Sequence, residues 1–467
     1  SASLETMIGL LFIILGSQMC VSVNLDSEGK HIRIRSMVQP VLDHYSAIFN
    51  SSLSFGYADS LGRVSLISNS PHGKPITEDT VIPLGSIAKS WIMAWILKKA
   101  EAGELHLKDL ASKLVDPTMK RLNGTTIADL WGEDVAAILT VDDLVSMRSG
   151  FQDYNDTYWS AWNIDHPGMD ILPFDYLHRV DKKLACPVGT CAWYSSINYM
   201  LLGFALVELE GLDRWDDLDQ LGVLSPEDRN RYGHTSFAGK GPCSKTPHMA
   251  HQFLAKIFMI NPKTEYRLYE DIIDDSCLNG WTCGNIISTG GDAAQFFYDL
   301  LLDKRIINDT TPMIDHFEKI QNPWCPVCYY SRGLIRIIYP FFPVDPSVPA
   351  EDLYLTGHPG IDWGSSAPVC GANLKHGFTF CLAFTAAAGM NCSLPNVNRN
   401  EGMTIGSSCY AYDAVMKAVG GPRINCTYAM PPVPLEGPKA ECQWKRGRSG
   451  VQGFSLRDEI RQLLQQS

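Results

Sequence analysis

The spacing of apolar residues along the chain predicts a succession of helices and strands. Across residues 35–49 apolar side chains recur with the period of an amphipathic helix, and short runs at 53–58 and 63–68 have the composition of strands. A strongly apolar helix is predicted to begin at Ser86 and to end at Gly103. The first hundred residues therefore predict a helix, two strands and a second helix.

The middle of the chain has a different pattern. Residues 110–285 predict helices and loops and are rich in Trp, Asp and Pro. A further helix is predicted after Thr289 or Asp292 as its cap, and strand-like segments return at 333–339 and 377–386. Because strands lie towards both chain ends, we predict an α/β (α+β) fold, in which an antiparallel sheet is flanked by helices and carries an inserted helical lobe.

Length and composition indicate a large globular protein. The chain has 467 residues, more than one ordinary core accommodates, with 45% hydrophobic and 19% charged residues. Its net charge is −12 and no long run has a single sign, so we expect no nucleic-acid partner.

The N-terminal segment predicts entry into the secretory pathway. Residues 7–23 are apolar and uncharged, so residues 1–23 are predicted to be a signal peptide. The segment lacks Lys and Arg, which leaves an uncleaved anchor, and with it a membrane contact, as the alternative. Fourteen cysteines and six Asn-x-Ser/Thr sequons also favour a secreted or lumenal protein. The candidate glycosylation sites are Asn50, Asn123, Asn155, Asn308, Asn391 and Asn425.

The cysteines have two interpretations. In an oxidising compartment they form disulfides, and the turn "CPVGTC" predicts the local pair Cys186–Cys191. The alternative is a zinc site, suggested by metal-ligand spacing, with the candidate ligands Cys277, Cys283, Cys325 and Cys328. We favour disulfides and predict no metal and no cofactor.

The start of the apolar helix carries Ser86 and Lys89, three residues apart. Positions i and i+3 lie on one face of a helix, so a hydroxyl and an amine can share a proton there. One interpretation is an N-cap serine with a solvated lysine, although a cation in the first turn opposes the helix dipole. The other is a nucleophile with its base, because desolvation favours the neutral amine.

Two further segments supply candidates for the remaining parts of such a site. In "CPVGTCAWYSSINYMLLG" Tyr194 follows a tight turn and precedes a helix. In "GHPGIDWGSS" His358 and Gly360 lie in a loop where glycines let backbones approach closely. Taken singly, such a tyrosine is usually a packing residue and such a histidine is usually structural.

The segments occur in the order found in one family. "GSIAKS" resembles its Ser-x-x-Lys motif, and "LTVDDLVSMRSGFQDY", "PVGTCAWYSSINYMLLG" and "GNIISTGGDAAQFF" resemble its following motifs. "GHPGIDWGSS" resembles the His-x-Gly form of the third motif. The sequence thus resembles the serine beta-lactamase-like hydrolases related to class C beta-lactamases, DD-carboxypeptidases and family VIII esterases. The resemblance implies a beta-lactamase/transpeptidase-like hydrolase domain at 31–430, followed by a Pro-rich linker and tail at 431–467.

The resemblance also implies roles for individual residues. Ser86 would be acylated by an ester or amide of a small molecule or peptide, and Lys89 and Tyr194 would carry its proton. The oxyanion hole would consist of the backbone N–H groups of Ser86 and Ile361. The implied substrate-binding residues are Ser196, Asn198, His358 and Gly360.

The sequence departs from the family at two of these positions. Ser196 replaces an asparagine that contacts the acyl side chain, and Asn198 could substitute only if the turn were rearranged. His358 replaces a lysine that attracts the substrate carboxylate in many relatives, and a neutral imidazole is a poorer anchor. These departures argue against a dedicated beta-lactamase. They leave two alternatives to a hydrolase, namely an inactive secreted binding protein on the same fold and an acyltransferase.

Overall fold

The structure is a computed structural model that describes residues 28–70, 74–154, 156–253, 270–322, 328–337, 349–386 and 406–426. Within these ranges the helices are α1 (28–49), α2 (Ala88–Glu101), α3 (Ala111–Asn123), α4 (Ile127–Trp131), α5 (Glu133–Ala136), α6 (Val141–Val145), α7 (Asp156–Asp165), α8 (Pro173–Arg179), α9 (Ile197–Leu209), α10 (Pro226–Arg229), α11 (Gly290–Leu301), α12 (Thr311–Ile314), α13 (Ala350–Leu353) and α14 (Ser407–Val419). The strands are β1 (Leu53–Asp59), β2 (Gly62–Ser68), β3 (Ile82–Gly85), β4 (Ser236–Phe237), β5 (Ile286–Ser288), β6 (Glu318–Lys319), β7 (Cys328–Tyr330), β8 (Ile335–Ile337), β9 (Leu355–Gly357), β10 (Gly360–Ile361), β11 (Ser366–Asn373) and β12 (Phe378–Phe384).

The main sheet joins the two ends of the described chain. Its order is β2-β1-β12-β11-β9-β8-β7-β6, with β10 paired to β11, and neighbouring strands run antiparallel. β1 pairs with β12 from Leu53↔Phe384 to Asp59↔Phe378. The predicted α/β fold, with an antiparallel sheet assembled from both ends of the chain, is confirmed.

Helices cover both faces of this sheet. The buried side chains of α1 fall at Ile34, Val38, Leu42 and Tyr45, the repeat expected of an amphipathic helix. On the same face Tyr412 of α14 stacks on Phe380 of β12, with ring centroids 5.7 Å apart. On the other face the Thr379 hydroxyl donates to Ala294 O of α11 at 2.7 Å. The main sheet is thus buried between helices on both of its faces.

A second sheet of three short strands, ordered β3-β5-β4, lies beside the main one. β4 falls inside the segment 110–285, for which only helices and loops were predicted, because two residues carry no alternation that a sequence could reveal. The helix after β5 is capped by Thr289, whose hydroxyl accepts from Asp292 N at 3.0 Å. Of the predicted strand at 333–339, the structure has β8 (Ile335–Ile337), and residues 338–339 lie outside the described ranges.

Four disulfides are present in the described residues: Cys186–Cys191, Cys243–Cys277, Cys370–Cys381 and Cys409–Cys426. The predicted local pair is thus confirmed. The proposed zinc site is wrong for Cys277, because its sulfur is bonded to Cys243, and Cys328 is also disulfide-bonded. Cys325 lies outside the described residues, as do the predicted signal peptide (1–23) and tail (431–467). None of the helices in the described ranges has the length and apolar content needed to cross a membrane.

Candidate active site

Ser86 lies in the turn that joins β3 to α2. Gly85 ends the strand with φ 55°, a left-handed conformation that favours glycine. The N-cap position of α2 belongs to Ile87, and no side chain caps the helix. The interpretation of Ser86 as an N-cap is therefore wrong, and its hydroxyl is available for other contacts.

Lys89 points into the protein from the first turn of α2. Its side chain is 0% exposed, so the interpretation as a solvated lysine is also wrong. Nζ donates to Ser86 Oγ at 2.8 Å and to the backbone carbonyl oxygen of Cys283 at 2.8 Å. Cys283 closes a short 3-10 turn, Trp281–Cys283, which brings this acceptor to the amine from the far end of the helical segment.

Tyr194 contacts the same serine. Its hydroxyl donates to Ser86 Oγ at 3.0 Å, and Lys89 Nζ lies 5.1 Å from the centre of its ring. The backbone of Tyr194 is held on both sides by the amide of Asn322, which accepts from Tyr194 N at 2.5 Å and donates to Tyr194 O at 3.1 Å. Ser86, Lys89 and Tyr194, predicted as one unit, are in mutual contact.

The charges of Lys89 and Tyr194 are coupled across this serine. Burial disfavours the charged form of each side chain, whereas either charge favours the opposite charge on its neighbour. Burial outweighs the influence of Lys89 and raises the pKa of the Tyr194 hydroxyl. At Lys89 burial opposes the charge, but attraction by Tyr194 and by the Asp153 carboxylate outweighs it and raises the pKa of the ammonium. The pair therefore titrates as a unit.

The strand β10 passes directly against the turn that holds Ser86. A Cβ atom built on Gly360 would lie 1.8 Å from Leu84 O and 3.0 Å from Ser86 N, so only glycine allows this approach. A Cβ atom on Gly85 would lie 2.8 Å from Ile361 N. The backbones of Ser86 and Ile361 are therefore neighbours, as an oxyanion hole made from their N–H groups requires.

His358 lies beside Tyr194, and its ring has no hydrogen bond to Ser86. Its ring is 1% exposed and its centroid is 6.0 Å from that of Tyr194. Nδ1 donates to Pro359 O at 2.6 Å, which leaves Nε2 as the acceptor of the neutral ring. Burial, with the Lys89 charge, lowers the pKa of His358 to about 3, so the imidazole is neutral at physiological pH.

The two polar residues after Tyr194 have different positions. Asn198 is fully buried in α9, where its amide donates to Ser195 O at 3.0 Å and to Met147 Sδ at 3.2 Å. These contacts use the amide N–H groups inside the protein, and the substitution of Asn198 for the missing amide, conditional on a rearranged turn, stays a prediction. Ser196 lies at the start of α9, and its N–H donates to Asp153 Oδ1 at 2.8 Å.

Sequence reasoning missed three groups that complete the arrangement. Asp153 lies within a quoted motif segment but was not singled out, although an acidic residue after Ser-Gly was a visible signal. Asn322 gave no such signal. It lies in a loop 128 positions after Tyr194, and no motif in the sequence connects the two residues. The Cys283 carbonyl is a backbone atom, which no residue type can reveal.

Comparison with known proteins agrees with this geometry. A family model for beta-lactamases, described as "Beta-lactamase", matches residues 41–323. Penicillin-binding protein 4 of Amycolatopsis lactamdurans is 28% identical over 155 residues, which are 33% of this chain and about a third (36%) of that protein's length.

The structure is also similar to solved structures at low sequence identity. The D-amino acid amidase from Ochrobactrum anthropi SV3, complexed with D-phenylalanine, has a TM-score of 0.62 at 16% identity, covering 83% of this chain and 99% of the amidase. A D-stereospecific amidohydrolase from Streptomyces sp. has a TM-score of 0.55 at 17% identity, over 76% of this chain and 94% of that one. A penicillin-binding protein from Bacillus halodurans has a TM-score of 0.52 at 14% identity, over 82% and 98%.

These structures share the fold, and the family model covers more than half of the chain. The model also includes the Ser86, Lys89 and Tyr194 cluster, which lies within residues 41–323. The chain belongs to the beta-lactamase family.

Proposed function

We propose that the protein is a serine hydrolase that forms an acyl-enzyme at Ser86 while cleaving an ester or amide of a small molecule or peptide. One observation carries the proposal: Ser86 Oγ accepts hydrogen bonds from both Lys89 Nζ, at 2.8 Å, and Tyr194 OH, at 3.0 Å. A serine with two proton carriers in contact, one of them fully buried, has the geometry of an activated nucleophile.

The reaction uses the form of the Lys89–Tyr194 pair in which one of the two side chains is deprotonated. The pair then accepts the proton of the Ser86 hydroxyl while Oγ attacks the substrate carbonyl carbon. The N–H groups of Ser86 and Ile361 stabilise the negative charge that develops on the carbonyl oxygen. Lys89 or Tyr194 returns the proton to the departing alcohol or amine. Water then attacks the carbonyl carbon of the acyl-enzyme and gives a proton to the same pair, which returns one to Ser86 Oγ as the acyl group leaves.

The neutral charge of His358 limits the substrates that this site favours. Its lowered pKa, about 3, means that the position of the family's third-motif lysine offers no cation for a substrate carboxylate. Two of the structurally similar proteins are amidases by name, which supports an amide as one of the bonds cleaved. The Gly360 backbone and the ring of His358 are proposed to line the substrate side of the site.

A fluorophosphonate probe and the neutral ester p-nitrophenyl butyrate test this proposal. We expect the wild-type protein to be labelled and to hydrolyse the ester, and Ser86→Ala to lose both, because no acyl-enzyme can form. Ser112→Ala is the matched control, since Ser112 is a partly buried serine on α3 whose hydroxyl donates to Ala136 O at 3.2 Å. An unlabelled wild type would support an inactive binding protein instead. Transfer of the butyryl group to an added alcohol in preference to water would support an acyltransferase.

We also propose that the protein is secreted or resides in the lumen of the secretory pathway. The four disulfides in the described residues are typical of proteins that fold in an oxidising compartment. Three of the sequon asparagines are exposed, namely Asn123, Asn308 and Asn425. Asn50 is partly exposed, and Asn155 and Asn391 lie outside the described residues. Glycosidase treatment of the protein from its native source should increase its gel mobility, and an unchanged mobility would contradict the glycosylation sites.

A further inference from the structure

The loop formed by residues 279–285 contacts the candidate active site at two points. The carbonyl oxygen of Cys283 accepts a hydrogen bond from Lys89 Nζ at 2.8 Å. Two positions later, Asn285 forms a parallel bridge with Gly85, the residue before the proposed nucleophile. The position of this loop therefore fixes the acceptor that holds the buried lysine.

Asp362 connects this loop to the strand that carries the proposed oxyanion donor. It directly follows Ile361, the last residue of β10, and it is only 7% exposed. Its Oδ1 accepts from Trp363 N at 2.6 Å and from the side-chain amide of Asn279 at 3.2 Å. Because Asn279 begins the 279–285 loop, a single carboxylate oxygen joins β10 to the loop.

Asp362 is a fixed acceptor for Asn279. Its own turn is anchored, since Asp362 N donates to Ser365 O at 2.9 Å and the Ser365 hydroxyl donates to Pro83 O at 2.6 Å. Burial raises the pKa of Asp362 to about 6, so the carboxylate is charged at neutral pH, and a charged acceptor forms the stronger hydrogen bond. In the described part of the chain the Asn279 side chain has no other hydrogen bond, and its Oδ1 is buried without a partner. Loss of Asp362 would therefore leave the Asn279 side chain buried and unsatisfied.

We propose that Asp362 is a positioning residue, whose hydrogen bond to Asn279 holds β10 and the 279–285 loop in one relative position. The inference rests on the proposed hydrolase function. Asp362 acts through two other groups, the Ile361 N–H and the carbonyl that holds Lys89. Both groups serve the transition state, so losing their alignment lowers kcat more than it raises KM.

The kinetic test uses p-nitrophenyl butyrate with Asp362→Ala and Asp362→Asn. Asp362→Ala should lower kcat by about tenfold to a hundredfold and change KM by less than about threefold, because the two groups lose their alignment. Asp362→Asn should stay within about fivefold of the wild-type kcat, since its carbonyl oxygen can accept both hydrogen bonds in place of Oδ1. An Asp362→Asn variant as slow as Asp362→Ala, or an Asp362→Ala variant with the wild-type kcat, would overturn the proposal.

A double variant tests whether Asp362 acts through Asn279. Asn279→Ala should lower kcat about as much as Asp362→Ala, and the double variant should be little worse than either, because both remove the same hydrogen bond. Losses that multiply would contradict the proposal. Asp413→Ala is the matched control: Asp413 lies on α14, is also 7% exposed and accepts a backbone N–H, from Ile424 at 3.0 Å. It should keep the wild-type kcat, and an equal loss there would assign the effect of Asp362→Ala to general destabilisation and refute the proposal.

Amide hydrogen exchange in the Ser86→Ala variant separates this proposal from the hydrolase function. The N–H groups of Cys283, Gly284 and Asn285 donate to carbonyl oxygens inside the loop, at 3.2, 2.9 and 3.0 Å. Adding Asp362→Ala should speed exchange in the peptide that contains the loop by about tenfold or more, and adding Asp413→Ala should leave it unchanged. Faster exchange supports the positioning role even if the protein proves inactive, and unchanged exchange contradicts it.

Discussion

Lys89 Nζ donates a hydrogen bond to the backbone carbonyl oxygen of Cys283, 2.8 Å away and 194 positions later in the chain. A second proton of the same ammonium is directed at Ser86 Oγ. A carbonyl in a short turn is a fixed acceptor, so it holds the amine at the serine without depending on any side chain. The buried lysine therefore has a defined position before substrate arrives, which is the condition for efficient proton transfer.

The contact of Lys89 and Tyr194 with one oxygen predicts strongly non-additive mutations. Lys89→Ala and Tyr194→Phe should each lower kcat for p-nitrophenyl butyrate on the order of a hundredfold or more, because each removes a proton carrier. The double variant should be little worse than either single variant, since the two act as one unit. Lys98→Ala, on the same helix, should remain near wild type. Losses that multiply in the double variant would show that the two residues act independently.

His358 should affect substrate preference more than turnover. Because its pKa is lowered to about 3, the ring is already neutral well below pH 5 and contributes no ionisation between pH 5 and 8. His358→Ala should therefore change the ratio of kcat/KM between ester substrates while kcat falls by less than about tenfold. The pH profile of the variant should keep the wild-type shape in that range. If His358→Ala abolishes activity while Tyr194→Phe preserves it, His358 is the base.

The contact between β10 and the serine turn predicts that Gly360 is intolerant of any side chain. In Gly360→Ala the new Cβ would meet Leu84 O at 1.8 Å, which forces Ile361 away from Ser86. Loss of one oxyanion donor lowers kcat by about a hundredfold or more. Gly239→Ala is the control, because its Cβ meets no atom within 4 Å. Circular dichroism checks that both variants fold, and a folded, fully active Gly360→Ala would refute the oxyanion assignment.

Much of the fold and of the site was predictable from the sequence. The periodicity of α1 gave its buried face, although the helix begins at residue 28 and not at 35, since polar residues extend a helix without changing its apolar stripe. The i, i+3 spacing of Ser86 and Lys89 led directly to their contact. Tyr194, in contrast, could be related to them only through resemblance, because 108 positions separate it from Ser86.

What the sequence could not reveal depends on tertiary structure. β4 has two residues and no period, and the pairing of Cys243 with Cys277 depends on how the loops between them fold. The sequence also could not show that the Asn198 amide, fully buried in α9, bonds to Met147 Sδ. Asp153 became significant only when its neighbours were known, because an acidic residue in a loop is normally solvated.

Intact-mass spectrometry during turnover tests the central claim, the acyl-enzyme at Ser86, most directly. The protein is mixed with p-nitrophenyl butyrate, quenched in acid within the first turnovers, and digested to locate the adduct. The account predicts a butyryl group on the peptide that contains Ser86, formed as p-nitrophenol is released and absent from Ser86→Ala. Turnover without an adduct, or an adduct on another residue that persists in Ser86→Ala, would contradict it.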